Sequence, residues 1–315
     1  MAAPVFDLHQ HLWPEPFLAL LRRRTDPPYL RADVLTTLEG AFPVDLSAHD
    51  LGGRIQALDR AGIDVAVICL QPTLGIEALP PAESGELFDA YNAGIQELVA
   101  ASDERLRALA SGRHVSGLDG LCVGASQLLD PAELGELLEP LERSGGFLFV
   151  HPDRVERPPQ GAPPWWTAVA AYTADMQAAY LAWIEYGAGT WPRLPVVFSL
   201  LAGGAAFQLE RLRSRGVATR RFTDAPVYLE TSSYGRAAVE LSIAAFGLDR
   251  IVHGSDYPVI EPGPTLQALA AFGPLAFTTL TSDNPRILLR DARDAESGKN
   301  RLAVGALDRS RARTS

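Results

Sequence analysis

Short apolar runs of strand length recur along this chain, with amphipathic segments of helix length between them. That alternation builds a parallel sheet wrapped in helices. The strand candidates are PVFDLH (4–9), DVAVICL (64–70), RLRALA (105–110), GLCVGA (120–125), GFLFVH (146–151), PVVFSL (195–200), VYLETS (227–232) and RIVHGSD (250–256). They number eight, which is what a closed barrel requires. Helical patterns fill the gaps at 51–62, 83–102, 131–145, 165–187, 206–216 and 235–247, with Asp130-Pro131 as a start signal and Gly145, Gly187, Gly216 and Gly247 as stops. The connection 111–119 is too short for a full helix, so one repeat is degenerate. The expected fold is α/β: a single distorted (β/α)8 TIM barrel over residues 1–290.

Two insertions interrupt the alternation. Residues 14–50 follow the first strand and hold Pro14, Pro16, Pro27, Pro28 and Pro43, and residues 152–164 (PDRVERPPQGAPP) follow the fifth. Both leave strand ends that face one mouth of the barrel, where long loops shape a substrate pocket. Residues 291–315 form a charged tail, expected to be disordered and without function. At 315 residues with 47% hydrophobic and 21% charged side chains, the chain can bury a large core. Its formal charge of −10 argues against nucleic acid or an anionic membrane as partner. Cys69 and Cys122 lie inside apolar strands and read as buried free thiols. With no targeting segment or membrane span in the pattern, the expected location is the cytoplasm.

The candidate chemistry is concentrated at strand ends. In FDLHQHLW, His9 and His11 are two apart, so in a strand they project to one face and can chelate a single ion. His151 ends the fifth strand in FLFVHPD, and Asp256 ends the eighth in VHGSDYP. Four ligand-type residues from three strands thus meet at the C-terminal mouth, where barrels of this kind collect their chemistry. Three imidazoles and one carboxylate suit one divalent metal ion, zinc first and manganese as the alternative.

The ordered series DLHQH, FVHPD, PVVFSLLAGG, YLETSSYG and IVHGSDYP resembles the amidohydrolase-related family that includes aminocarboxymuconate-semialdehyde decarboxylase, within the amidohydrolase superfamily. The resemblance runs from about residue 4 to 290. It implies that His9, His11, His151 and Asp256 are the metal ligands. The chemistry it implies is hydrolysis of C–O, C–N or C–C bonds, or non-oxidative decarboxylation. Members generally carry a histidine before the glycines after the sixth strand, whereas this chain has SLLAGG, with Leu201 nearest that position. Superfamily sites that bridge two metals through a carboxylated lysine are excluded, because the sole lysine, Lys299, lies in the tail.

The absent histidine makes a hydrolase the leading expectation. Attack on a lactone, ester or amide carbonyl needs mainly a nucleophile and a Lewis acid, and Asp256 would take the proton from the activated water. The substrate expected is small, cyclic or aromatic, and carboxylate-bearing. A decarboxylase of the aminocarboxymuconate-semialdehyde type is the alternative, and a catalytically silent barrel the third reading. Glu230 reads either as a second carboxylate at the mouth or as the partner orienting a ligand histidine. His253, three residues before Asp256, reads as a packed histidine on the opposite strand face or as a substitute acid/base. Arg154 is the candidate for binding a substrate carboxylate, and Trp13, with Trp165 and Trp166, for lining the pocket. A homodimer is expected from the resemblance alone.

Overall fold

The computed structural model describes residues 3–153 and 159–289. Arg154 and the tail 291–315 lie outside the described residues. Eight parallel strands form one sheet in sequence order: Phe6–Gln10 (β1), Val65–Ile68 (β2), Leu106–Ser111 (β3), Gly120–Gly124 (β4), Phe147–His151 (β5), Val196–Phe198 (β6), Val227–Glu230 (β7) and Ile251–Val252 (β8). Each matches one of the eight apolar windows, with β1 and β3 running one residue past theirs. The sheet closes into a barrel because the chain just beyond β8 bonds back to β1: Leu8 N donates to His253 O at 2.9 Å, Asp256 N to His9 O at 2.8 Å and His11 N to Tyr257 O at 2.7 Å. Among the described residues no helix is long and apolar enough to cross a membrane.

Strand alternation sorts the core into two populations. Leu8, Val67, Cys69, Leu109, Cys122, Phe147, Phe149, Val197, Tyr228 and Val252 pack together inside the barrel. Their neighbours, such as Ala66, Ile68, Ala108, Leu148, Val150 and Leu229, belong to the larger cluster formed with the helices. Cys69 and Cys122 are buried free thiols, as expected.

Strand β1 breaks this alternation. Asp7 pairs with Ala66 but Gln10 with Ile68, so three steps on β1 oppose two on β2. This bulge reverses the facing of everything after Leu8. Phe6 and Leu8 face the interior, Asp7 and Gln10 face the helix layer, and His9 and His11 face inward again, with the His9 ring 5.0 Å from that of Phe149.

The insertion after β1 carries secondary structure of its own. It forms a helix, Glu15–Arg23, and a three-stranded antiparallel sheet of Tyr29–Arg31, Val34–Thr36 and Ala41–Pro43. Strands of three residues are too short to show a period of two, so the pattern could not reveal them. The following helix, Leu51–Ala61, begins and ends on its sequence signals: Asp50 accepts from Gly53 N at 2.9 Å, and Gly62 takes the left-handed conformation (φ 68°) that stops it.

After β6 the chain makes a left-handed turn in which Leu200, Leu201, Ala202, Gly203 and Gly204 have φ of 52°, 49°, 52°, 60° and 75°. For the first three this costs about 1–2 kcal/mol each, and the turn is held against helix Tyr172–Ala182. A Cβ on Gly203 would stand 2.2 Å from the Thr173 carbonyl oxygen, whereas one on Gly204 would meet nothing within 4 Å. Two substitutions therefore separate steric from conformational cost. Gly203→Ala is expected to destabilise by about 2–4 kcal/mol and Gly204→Ala by about 1 kcal/mol, read from denaturant midpoints. Equal losses would show that the close approach to Thr173 is not what fixes the turn.

Candidate metal centre

His9, His11, His151 and Asp256 come together at the C-terminal mouth, with their ligand atoms all within 4.8 Å of one another. His9 is supplied by β1 within its bulge, His11 by the residue that follows β1, and His151 by the last position of β5. Asp256 is not on β8, as the sequence suggests, but in the turn after it, with φ 69°. A non-glycine residue in that region is uncommon and needs surrounding bonds to hold it. They are the Asp256 N–H to His9 O and the bonds that Val259 N and Ile260 N donate to Asp256 O at 2.8 and 3.1 Å.

Each imidazole is oriented through Nδ1. His9 Nδ1 lies 3.1 Å from Glu230 Oε2, His11 Nδ1 3.0 Å from the Cys69 carbonyl oxygen, and His151 Nδ1 2.7 Å from the Pro152 carbonyl oxygen. Carboxylate and carbonyl oxygens only accept here, so each Nδ1 carries a proton and each Nε2 is left with a lone pair. His9 Nε2 and His11 Nε2 are 3.2 Å apart, and Asp256 Oδ1 lies 2.9 Å from His11 Nε2 and 3.6 Å from His9 Nε2. Two lone pairs at that separation repel each other beside a carboxylate, and a shared cation relieves this. The residues present therefore fit one divalent metal ion.

The electrostatics agree. Burial alone would lower the pKa of His9, but the Glu230 charge and hydrogen bond outweigh it and raise the net value. Burial, followed by the neighbouring His9 and His11, pushes His151 well below its ordinary value. For Asp256, burial works upward, and the bond from His11 together with the surrounding imidazoles wins and holds the carboxyl below its usual range. Asp256 is also the least enclosed ligand, at 17% side-chain exposure against 1% for His9 and His11.

Glu230 is the orienting partner, not a free carboxylate at the mouth. It is fully buried, and besides His9 it accepts from Ser232 Oγ at 2.8 Å and from Ser232 N. Gly254 makes room for it, since a Cβ there would stand 2.2 Å from Glu230 Oε1. His253 is buried in the helix layer with its Nε2 4.0 Å from Asp7 Oδ2, so it turns away from the cluster and cannot serve as acid or base there.

Asp7 and Arg54, which sequence reasoning passed over, hold β1 in place. The Asp7 carboxylate accepts from His9 N (3.1 Å), Gln10 Nε2 (2.8 Å), Ser255 N (2.9 Å) and Ser255 Oγ (2.6 Å). Arg54, wholly buried, donates to Gln10 Oε1 (2.7 Å), His11 O (2.6 Å) and Ala48 O (2.8 Å). Its guanidinium lies 4.6 Å from the centre of the Tyr257 ring. The signal available was a lone Asp two residues ahead of His9, too common a pattern to single out.

Beside the cluster opens a cleft of about 770 Å³ whose wall includes Trp13, Gln71, His49, Tyr172 and Pro258. The small sheet contributes Leu35 and Phe42, and the second insertion contributes Ala162, Pro163 and Pro164. Trp165 and Trp166 are largely exposed and are not among the residues lining this cleft.

Comparison with known proteins followed the same lines. A family model described as Amidohydrolase matches residues 6–291. A curated relative, 2-amino-3-carboxymuconate-6-semialdehyde decarboxylase of Dictyostelium discoideum, is 23% identical over 326 residues, covering 88% of this chain and 89% of that protein. Among solved structures, IDCase of Metarhizium anisopliae superposes with a TM-score of 0.76 at 20% identity, covering 91% of this chain and 97% of its own. The 5-carboxyvanillate decarboxylase of Novosphingobium aromaticivorans, with bound manganese, gives 0.72 at 16% identity, covering 91% and 97%.

Two substitutions test the centre. Purified protein is expected to hold about one equivalent of divalent metal, and His11→Ala to hold almost none, by elemental analysis. Glu230→Gln keeps the shape but removes the charge that orients His9, and is expected to weaken metal affinity about 10–100-fold. Unchanged affinity in Glu230→Gln would show that Glu230 only fills space.

Proposed function

This chain belongs to the amidohydrolase family, and we propose that within it the protein is a metal-dependent, non-oxidative decarboxylase of a small ring carboxylic acid. The expectation of a hydrolase is corrected by the comparisons: the curated relative and the manganese-bound neighbour are both named as decarboxylases. The inference drawn from the missing histidine was too strong. Leu201 is indeed buried and apolar, but the cluster already carries a carboxyl group able to move a proton, so Leu201 does not rule out protonation of carbon.

The observation that carries the reading is the position of Asp256. Glu230 is engaged beneath His9 and His253 faces the helices, which leaves Asp256 as the carboxyl at the cluster with access to solvent and substrate. His9, His11, His151 and Asp256 would hold the ion; zinc and manganese both accept this donor set, and the neighbour's manganese favours manganese. When bound, the metal offsets the negative charge of a substrate carboxylate and fixes its direction.

The protein's part is to place the ring and supply a proton. Arrival of an anionic substrate next to Asp256 raises the affinity of its carboxyl for a proton. Asp256 then gives that proton to the ring carbon bearing the carboxylate. The carbon–carbon bond to that carboxylate breaks, its electron pair remains on the ring, and carbon dioxide leaves. Solvent restores the proton on Asp256, and no oxidant or reductant is consumed. The apolar cleft walls, Leu35, Leu74 and Pro163 among them, limit water around the ring and suit a flat body.

The test is release of carbon dioxide by metal-loaded protein from a panel of hydroxylated aromatic acids. In heavy water the product is expected to carry one deuterium at the former carboxyl position. Asp256→Asn, which can neither hold nor release that proton, is expected to lose about 10²–10⁴-fold in turnover, the value of a positioned acid. Turnover of lactones or esters without carbon dioxide release would overturn this reading.

A further inference from the structure

Gln71 lies just beyond β2, two residues past Cys69, whose carbonyl orients His11. Its side-chain oxygen accepts the indole N–H of Trp13 at 2.8 Å. An indole nitrogen can only donate, so the amide oxygen must face Trp13 and the amide nitrogen must face the other way. That nitrogen has no hydrogen-bond partner among the described residues, and it belongs to a side chain that lines the cleft.

The clamp that sets this orientation is itself rigid. Trp13 is 3% exposed and stacks on His49 with ring centres 4.3 Å apart and planes 9° from parallel. Its backbone N–H donates to His49 Nδ1 at 3.0 Å. Burial, with the charge of Arg54, holds the His49 pKa down to about 3, so the ring stays neutral and keeps that acceptor lone pair. Two other polar groups of the lining are acceptors engaged within the protein: Glu39 accepts from the Tyr172 hydroxyl at 2.8 Å, and Asp45 from Ser47 N and Oγ at 2.9 and 2.7 Å. Gln71 adds to this lining an amide donor of fixed direction, two residues past the carbonyl that orients His11.

We infer that Gln71 is a specificity-determining residue whose Nε2 donates a hydrogen bond to an uncharged acceptor oxygen on the substrate ring, away from the carboxyl group that meets the metal cluster. The inference rests on the decarboxylase reading for the placement of that carboxyl group. A pre-oriented amide pays little ordering entropy on binding, and an acceptor placed elsewhere on the ring leaves its hydrogens unpaired.

The test uses full-length, manganese-loaded protein and calorimetric binding of six probes, the three methoxybenzoates and the three ethylbenzoates. Each methoxy acid matches an ethyl acid in shape and differs by one acceptor oxygen. At least one methoxybenzoate is expected to bind about five- to tenfold tighter than its ethyl counterpart, the value of one hydrogen bond. Gln71→Leu is expected to abolish that preference, lowering methoxybenzoate affinity more than ethylbenzoate affinity. Gln71→Glu is the sharper variant, since it still offers Trp13 an acceptor but turns an oxygen to the cleft, and the preference is expected to vanish there too. A wild-type preference retained in Gln71→Glu would mean that Gln71 merely supports Trp13, and would overturn the proposal while leaving the decarboxylase reading intact. Absence of any methoxy preference in the wild type overturns it equally. Failure of all six acids to bind would overturn the ring-acid substrate and the role of Gln71 together.

Discussion

The architecture of the site depends on one buried carboxylate. Asp7 accepts bonds from the backbone and hydroxyl of Ser255, 248 positions away in sequence, and from His9 N and Gln10 Nε2 on its own strand. It thereby joins the first and last strands where the barrel closes, and it fixes the bulge that turns His9 and His11 inward. Arg54 completes the arrangement from the helix layer. Burial lowers its pKa to about 10, which still leaves it charged near neutrality, and it spends its donors on Gln10 and on the His11 and Ala48 carbonyls. Removing one partner from a buried charged network of this kind costs about 3–5 kcal/mol, because the remaining groups have no water to turn to.

Closing the barrel at this seam also assembles the metal ligands. His9 and His11 come from one side of it and Asp256 from the other, so the geometry of the cluster is tied to the stability of the fold. The backbone of Asp256 sits in a left-handed conformation, held by its N–H on the His9 carbonyl across the seam and by two bonds to its own carbonyl. Glu230 and the carbonyls of Cys69 and Pro152 then choose the tautomer of each ring. The result is three Nε2 lone pairs and one carboxylate directed at a common region, with His253 and Asp7 excluded to the outer layer.

Specificity is built by different parts of the chain. The barrel contributes the charged cluster, whereas the cleft walls come mostly from the two insertions and from residues a step or two past the ligands, such as Trp13, Gln71 and Pro258. Asp256 lies at the seam, and Trp13 and Gln71 line the cleft.

The sequence by itself determined the barrel, since eight apolar windows of strand length mark eight strands. It also pointed to the candidate ligand set, His9, His11, His151 and Asp256, although it put Asp256 on the last strand and not in the turn beyond it. It could not show which way His9 and His11 face: regular alternation from Phe6 and Leu8 would send both toward the helices, and only the bulge, a property of pairing with β2, reverses them. Nor could it distinguish Glu230 as partner from Glu230 as catalyst, find the short strands of the first insertion, or show that Gln71 meets Trp13 across 58 residues. Local pattern records burial and period, which each residue carries alone. Facing, tautomer and hydrogen-bond direction belong to pairs of residues, and folding is what makes the pairs.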